Sequence, residues 1–202
     1  LGEPWNQIVP PGTPAVLNDY RGTTYNPQRA RELLAQAGYP NGFSTRLIVA
    51  FYLQRDVGVA LQQALQQVGI RAELELPQIG RYVEYQRKGW RGLLVHLYGY
   101  FPNINSYIGF YLSDTAAEVW ASLKRPEGLQ KLLEESAGTL TPQRHKLQQL
   151  HRMLLQDHTV IPVYTHPGAA VVVRKGIRDT GHLQGATWPF WKPAEAWISR
   201  QP

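Results

Sequence analysis

Cysteine is absent from this 202-residue chain, which excludes disulfides and thiolate chemistry. No apolar run approaches the length needed to span a bilayer. There is no charged and apolar leader segment either: Leu1 opens directly into a polar, Pro-rich stretch, as expected of the middle of a longer chain. The chain lacks a GxSxG elbow, a P-loop and a GxGxxG turn, so the common nucleophile and phosphate-cradling motifs are missing. HExxH and His pairs at i,i+4 are also missing. His151 and His158, set on one predicted helix, would lie roughly 10 Å apart along its axis, too far to share one zinc ion at bonds of about 2 Å. Glu134 and Glu135 are adjacent and diverge by about 100° on a helix, so they read as a solvated face rather than a catalytic carboxylate pair.

Hydrophobic residues make up 43% of the chain and charged residues 18%, a balance that favours folding. The net charge of +6 raises the question of nucleic acid or an anionic surface. The Lys and Arg are scattered, with no run longer than two, and no nucleic-acid module is recognisable. A solvated basic surface is the preferred reading.

Residues 1–24 carry Pro4, Pro10, Pro11, Gly12 and Pro14 and read as an extended crossing segment. Asn26 and Pro27 open a helix over 27–37. Its apolar stripe is Ala30, Leu33, Leu34 and Ala37, and Gly38 follows its end. Arg46–Phe51 is apolar enough for a buried strand. Helix 54–68 presents Val57, Leu61, Ala64, Leu65 and Val68, and Gly69 closes it. Ile70–Leu76 alternates as a strand with one wetter face. Ile79–Lys88 is a short helix with Tyr82 and Val83, and Leu93–Leu97 is a third strand. Further helices are expected near 127–137 and after Thr141-Pro142, the latter bearing Leu147, Leu150 and Leu154. Val160–Tyr164 and Ala169–Val173 read as strands. The tail, with Trp188, Phe190, Trp191 and Trp197, is too aromatic to prefer water. The alternation predicts an α/β fold with a mainly parallel sheet flanked by helices.

Four blocks in order resemble the family 5 extracellular solute-binding proteins, the receptors of peptide, nickel and opine ABC importers. The first is YNPQRARELLAQAGYPNG from Tyr25. The second is ALQQALQQVGIRAELELPQIGRYVEYQRKG. The third is LLVHLYGYFPNINSYIGFYL, and the fourth is TPQRHKLQQLHRMLLQDHTVIPVYTHPGAAVVVRKGI. The resemblance implies a type II lobe like that of periplasmic binding proteins, with crossing strands to a lobe missing from this chain. It implies a crossing segment at 1–24, a second lobe at 25–158, and return strands with the aromatic tail at 159–202. The implied function is capture of a small or peptide-like solute between two lobes for import. The partners would be a membrane permease and the missing lobe, and the place periplasmic or extracytoplasmic and membrane-anchored. No enzymatic activity, cofactor, metal or nucleic acid is implied. The tail would make this chain self-associate or seek a partner. Alternative classes are a small α/β hydrolase, which needs a convergent nucleophile and base, and a basic nucleic-acid-binding module, which needs steep salt dependence.

Sheet-based clefts place ligands at the carboxyl ends of strands, so the His96–Tyr107 loop is expected to line the cleft. The candidate ligand contacts are His96, Tyr98, Tyr100, Phe101, Asn103 and Tyr107. His96 reads equally as a contact or as a satisfied core histidine, and several of the rings read equally as lobe core. Peptide receptors of the family carry an Asp before the Tyr-Pro pair, where it holds the peptide ammonium. Aligning Phe101-Pro102 with that pair puts Tyr100 at the acidic position. The following Asn103-Ile104-Asn105-Ser106 is likewise uncharged. Arg55, just past a strand end, is read as a surface helix residue in preference to an anion contact.

Overall fold

The computed structural model describes residues 3–9, 11–97, 104–118, 120–137, 143–165, 177–178 and 197–198. The chain forms two compact units. One comprises Leu1–Arg21, Tyr100–Tyr107 and Lys131–Pro202, and the other Gly22–Gly99 and Ile108–Gln130.

In the second unit, helix α1 spans Pro27–Gln36. The Asn26 side chain accepts from the Arg29 N–H at 2.9 Å, and Pro27 occupies the first turn, where no N–H is needed. Gly38, at φ +89°, lets the Tyr39 N–H return to the Leu34 carbonyl. The apolar stripe expected on this helix is not buried: no residue of α1 is. The helix is tethered instead by Arg31 and Tyr25, which donate to the Gln67 carbonyl and side chain at 3.0 and 2.6 Å.

Strand β2 (Ser44–Val49), helix α2 (Arg55–Gln66), strand β3 (Arg71–Glu75), helix α3 (Ile79–Lys88) and strand β4 (Leu93–Val95) follow. The strands form one parallel sheet in the order β3-β2-β4, as the alternating pattern predicts. The central strand begins and ends two residues earlier than the apolar run suggests. Its closing residues Leu47, Ile48 and Val49 are almost wholly buried, and so is Ala50. Helix α2 lies close upon this sheet: a methyl group on Gly58 would come within 2.7 Å of both Leu74 and Val49. Burying these apolar side chains contributes roughly 1.5–3 kcal/mol each, against which the sheet's hydrogen bonds are a smaller net gain. On the sheet, Glu75 accepts from the Tyr85 hydroxyl at 2.6 Å and pairs with Arg46 at 3.4 Å.

Helix α4 (Ile104–Tyr111) corrects the expectation of a loop running to Tyr107. Ile104, Tyr107, Ile108, Tyr111 and Leu112 are all buried at helical spacing. A 3-10 turn at Asp114–Glu118 and helix α5 (Leu129–Ala137) come next.

In the first unit, helix α6 (Arg144–Gln156) buries Leu147, Leu150, His151, Leu154 and Leu155. Gln143 stands at its start and makes no side-chain cap; Thr141 and Pro142 lie outside the described residues. The helix stops at Gln156 and His158 sits at φ +53°, so His158 is not on one face with His151. The N-terminal segment is laid along α6. Gln148 donates to the Val16 carbonyl at 2.9 Å, and Gln7 bonds both backbone groups of the buried Leu17. The strand expected at Val160–Tyr164 reduces to β5 (Tyr164–Thr165), since 160–163 are irregular. It pairs antiparallel with β1 (Glu3–Pro4), so the segment read as crossing and the segment read as returning run side by side there. Ala169–Val173 lies outside the described residues. β6 (Ile177–Arg178) pairs antiparallel with β7 (Trp197–Ile198).

Candidate functional site

The parallel register sets Val49 beside Val95, and the Ala50 N–H extends the pairing to the Val95 carbonyl at 3.0 Å. The chain therefore leaves β2 and β4 side by side. The first side chains beyond the sheet are Phe51 and Tyr52 from one strand and His96 from the other. Gly92, just before β4, makes this close pairing feasible: a methyl there would lie 2.4 Å from the Arg46 carbonyl oxygen. Helix α3 supplies Tyr82 from one side. The segment after the 3-10 turn supplies Trp120, anchored by its backbone N–H, which donates to the Ala116 carbonyl at 2.9 Å.

These residues make a cluster of rings at the carboxyl edge of the sheet. The His96 ring stacks on Tyr82, with centroids 6.2 Å apart and planes at 5°. It meets Trp120 edge-on at 4.8 Å, Tyr111 at 5.8 Å and Tyr52 at 5.7 Å. Phe51 packs edge-to-face on Tyr52 at 5.0 Å and on Tyr82 at 5.7 Å, separations at which such pairs add stability beyond the area they bury. The cluster has a buried floor and an open lip. Tyr82 and Trp120 are 2% exposed, whereas Phe51 and Tyr52 are each 45% exposed.

The hydroxyls of Tyr52 and Tyr82 both lie 2.5 Å from Nδ1 of His96. With two hydroxyls converging on one nitrogen, Nδ1 is assigned as the acceptor and the ring proton to Nε2. Burial pushes the His96 pKa down to about 4, because the imidazolium would lose its hydration. Burial likewise raises the Tyr52 pKa, which keeps its hydroxyl protonated. The ring edge is thus uncharged at neutral pH. Among the described residues it offers hydroxyls and ring faces for hydrogen bonding and stacking. Among the described residues, no three His, Cys, Asp or Glu side chains come together as metal ligands.

Of the residues singled out from sequence, His96 stands at the centre of this cluster. Tyr107 is on α4, 4% exposed. Tyr98, Tyr100, Phe101 and Asn103 lie outside the described residues. Arg55 is the exposed first residue of α2. Sequence reading missed Phe51, Tyr52, Tyr82, Tyr111 and Trp120 as members of one site. The available signal was Tyr52, an aromatic just beyond the end of an apolar run.

Residues 1–118 match the family described as "Bacterial extracellular solute-binding proteins, family 5 Middle". That span holds the first three sequence blocks; the fourth lies beyond it. The glutathione-binding protein GsiB of Escherichia coli K12 is 42% identical over 89 residues, which are 43% of this chain and 17% of that protein. The periplasmic binding protein DppA from Helicobacter pylori, solved with the peptide STSA, superposes with a TM-score of 0.74 at 17% identity. The match covers 98% of this chain and 40% of that one. AgaA from Agrobacterium tumefaciens R10, solved with agropinic acid, gives 0.75 at 18% identity over 100% of this chain and 43% of its own. This chain therefore spans under half the length of the proteins it matches, and its fold is the α/β fold of type II periplasmic binding proteins. It belongs to the family 5 bacterial extracellular solute-binding proteins.

Proposed function

We propose that this chain is part of a longer ABC-importer receptor that captures a small, peptide-like solute between two lobes and delivers it to a membrane permease. The observation that carries this is the uncharged aromatic cluster at the carboxyl ends of β2 and β4, on a chain of this family. In this reading, residues 25–158 supply one lobe. Residues 1–24 cross into it, and 159–202 return to the lobe that the rest of the receptor supplies. The pairing of Glu3–Pro4 with Tyr164–Thr165 supports that arrangement of segments. The solute closes the receptor by contacts that are better made in the closed state than the open one. Binding and release, without a covalent step, are the whole of its chemistry. The receptor works in the periplasm or is anchored outside the cytoplasmic membrane.

His96 and the following Tyr98, Tyr100, Phe101 and Asn103, with Tyr107, are the proposed solute contacts. Tyr100 takes the position where peptide receptors of the family carry a carboxylate. An ammonium held there would forgo a charge-assisted bond of roughly 1.5–3 kcal/mol, or one to two decades of affinity. The solute's ammonium, where it has one, is accordingly held outside this chain. The test is titration of the complete receptor with glutathione and a di- and tripeptide panel, with free and acetylated N-termini. Micromolar or tighter binding of at least one solute, unaffected by Tyr100→Ala, is expected. Binding that is lost both on acetylation and in Tyr100→Ala would put the ammonium contact on this chain and refute that assignment. No binding across the panel would remove the peptide-like solute class.

A further inference from the structure

Phe51 and Tyr52 sit on a short turn between β2 and α2, half exposed, where rings on a turn have several rotamers to choose from. Two features remove that freedom. Phe51 is packed edge-on against both Tyr52 and the buried Tyr82. The Tyr52 hydroxyl is fixed at 2.5 Å from Nδ1 of His96, and the His96 ring is itself braced by the Tyr82 hydroxyl from α3 and by the Trp120 ring, with centroids 4.8 Å apart. One acceptor atom just past β4 therefore ties together a turn and a helix separated by 44 and 14 residues from it in sequence. Every polar side-chain group shown within the cluster is uncharged: three phenol hydroxyls, an imidazole and an indole. A surface of this chemistry rewards apolar and aromatic groups, and it offers an ion nothing in return for its lost hydration.

We propose that His96 is a positioning residue for solute binding, whose Nδ1 holds Tyr52 and Tyr82 so that Phe51 and Tyr52 form a fixed wall for an apolar or aromatic side chain of the solute. This inference rests on the solute lying at the carboxyl edge of the sheet, as proposed above. It adds which part of the solute meets this chain and which buried atom sets the contact. Asparagine is the conservative replacement, since its Oδ1 accepts at the same number of bonds from Cα as Nδ1 does. Leucine fills the space and accepts nothing.

The experiment uses the complete receptor and the tripeptides Ala-X-Ala and X-Ala-Ala with X as Ala, Phe, Lys or Glu. Wild type should bind a Phe peptide at least tenfold more tightly than its Lys and Glu counterparts. That preference should fall to threefold or less in His96→Leu and in Tyr52→Ala, and persist in His96→Asn. Thermal unfolding of each variant checks that it folds. Aromatic-ring NMR gives a second readout: the Tyr52 ring should show one fixed orientation in wild type and His96→Asn, and averaged signals in His96→Leu. Binding with no Phe preference, or with equal loss in His96→Asn and His96→Leu, overturns the wall while leaving the receptor reading intact. A receptor that binds none of the peptides fails the receptor reading instead. In that case the positioning claim is decided by the NMR alone, and a Tyr52 ring unchanged by His96→Leu refutes it.

Discussion

Replacing His151 by leucine should cost the protein more than any other single histidine change, and the cost should depend on pH. His151 is fully buried on α6, yet both of its ring nitrogens are used. Nδ1 donates to the buried Ala15 carbonyl at 2.9 Å, and Nε2 accepts from the Ile8 N–H at 3.0 Å. One ring thus fastens two points of the N-terminal segment, 136 and 143 residues away in sequence, onto the helix. Leucine fits the volume but strands both backbone groups. Each stranded group costs about 1–3 kcal/mol, so the change should cost about 2–4 kcal/mol after partial relaxation and entry of water. The acceptor role of Nε2 requires the neutral ring, and burial together with the nearby Arg152 charge lowers the His151 pKa, against the Ala15 bond that raises it. A histidine held neutral in the fold binds its proton more readily once unfolded, so its contribution is complete above the unfolded pKa of about 6.5 and is lost as pH falls below it. The stability gap between wild type and His151→Leu, measured by urea denaturation, should be widest at pH 7–8 and should narrow steadily from pH 6.5 to 4.5. His145, exposed on the same helix, is the control, and leucine there should change stability by less than about 0.5 kcal/mol. A gap under 0.5 kcal/mol at pH 7.5, or one that stays constant with pH, would refute the assignment of both hydrogen bonds.

His96 should add a second acid-sensitive contribution. With a folded pKa of about 4 against about 6.5 unfolded, and with only Tyr52, Tyr82, Tyr111 and Trp120 shown facing the ring, about 3 kcal/mol of stability should disappear between those pH values. His96→Asn should abolish that portion of the acid slope, and an unchanged slope would contradict it. Gly92→Ala should destabilise by about 3 kcal/mol or more, since a positive φ of 94° is compounded by a 2.4 Å approach to the Arg46 carbonyl. Gly12→Ala, at φ 81° with open space around it, should cost only about 1 kcal/mol; equal losses in the two variants would show that the β2–β4 approach is not constrained. The aromatic tail is expected to make the isolated chain self-associate, and a sharp monomer at high concentration in sedimentation velocity would contradict that.

The legible elements were those in which local chemistry and tertiary packing agree. Helix α3 runs from Ile79 to Lys88 in the structure, with the bounds read from sequence, because Gly89, at φ +91°, ends a helix that buries Tyr82 and Tyr85 on one face. Helix α4 was missed for the opposite reason. INSYIGFY is rich in aromatic and β-branched residues and contains a glycine, so propensity argues against a helix. Yet Ile104, Tyr107, Ile108, Tyr111 and Leu112 fall at i, i+3, i+4, i+7 and i+8, and their burial decides the outcome. The pattern was present in the sequence, and reading the stretch as a cleft-lining loop beyond a strand passed over it. The segment Val160–Val163 errs the other way, for Pro162 withholds the donor that a sheet ladder needs there.

The site resisted sequence reading because its assembly depends on strand order. His96 was identifiable as the residue that leaves a predicted strand, and Tyr82 as an aromatic on a predicted helix. That Tyr52 belongs with them follows only once β2 is known to be the central strand, flanked by β3 on one side and β4 on the other. Had β4 paired on β3 instead, the same side chains would have left the sheet a strand's width further apart, about 4.8 Å, and Nδ1 of His96 would be out of reach of the Tyr52 hydroxyl. Nothing local in the sequence sets this order. It is fixed by the joint burial of Leu47, Ile48, Val49 and Ala50, the most enclosed run in this unit, which only a central strand can satisfy. The same burial that stabilises the sheet therefore brings the Tyr52 turn to His96. A core substitution that loosens β2, such as Ile48→Ala, should accordingly mobilise the Tyr52 ring as well as destabilise the fold. Tyr52 ring signals unaffected by Ile48→Ala would mean that the turn is held independently of the sheet.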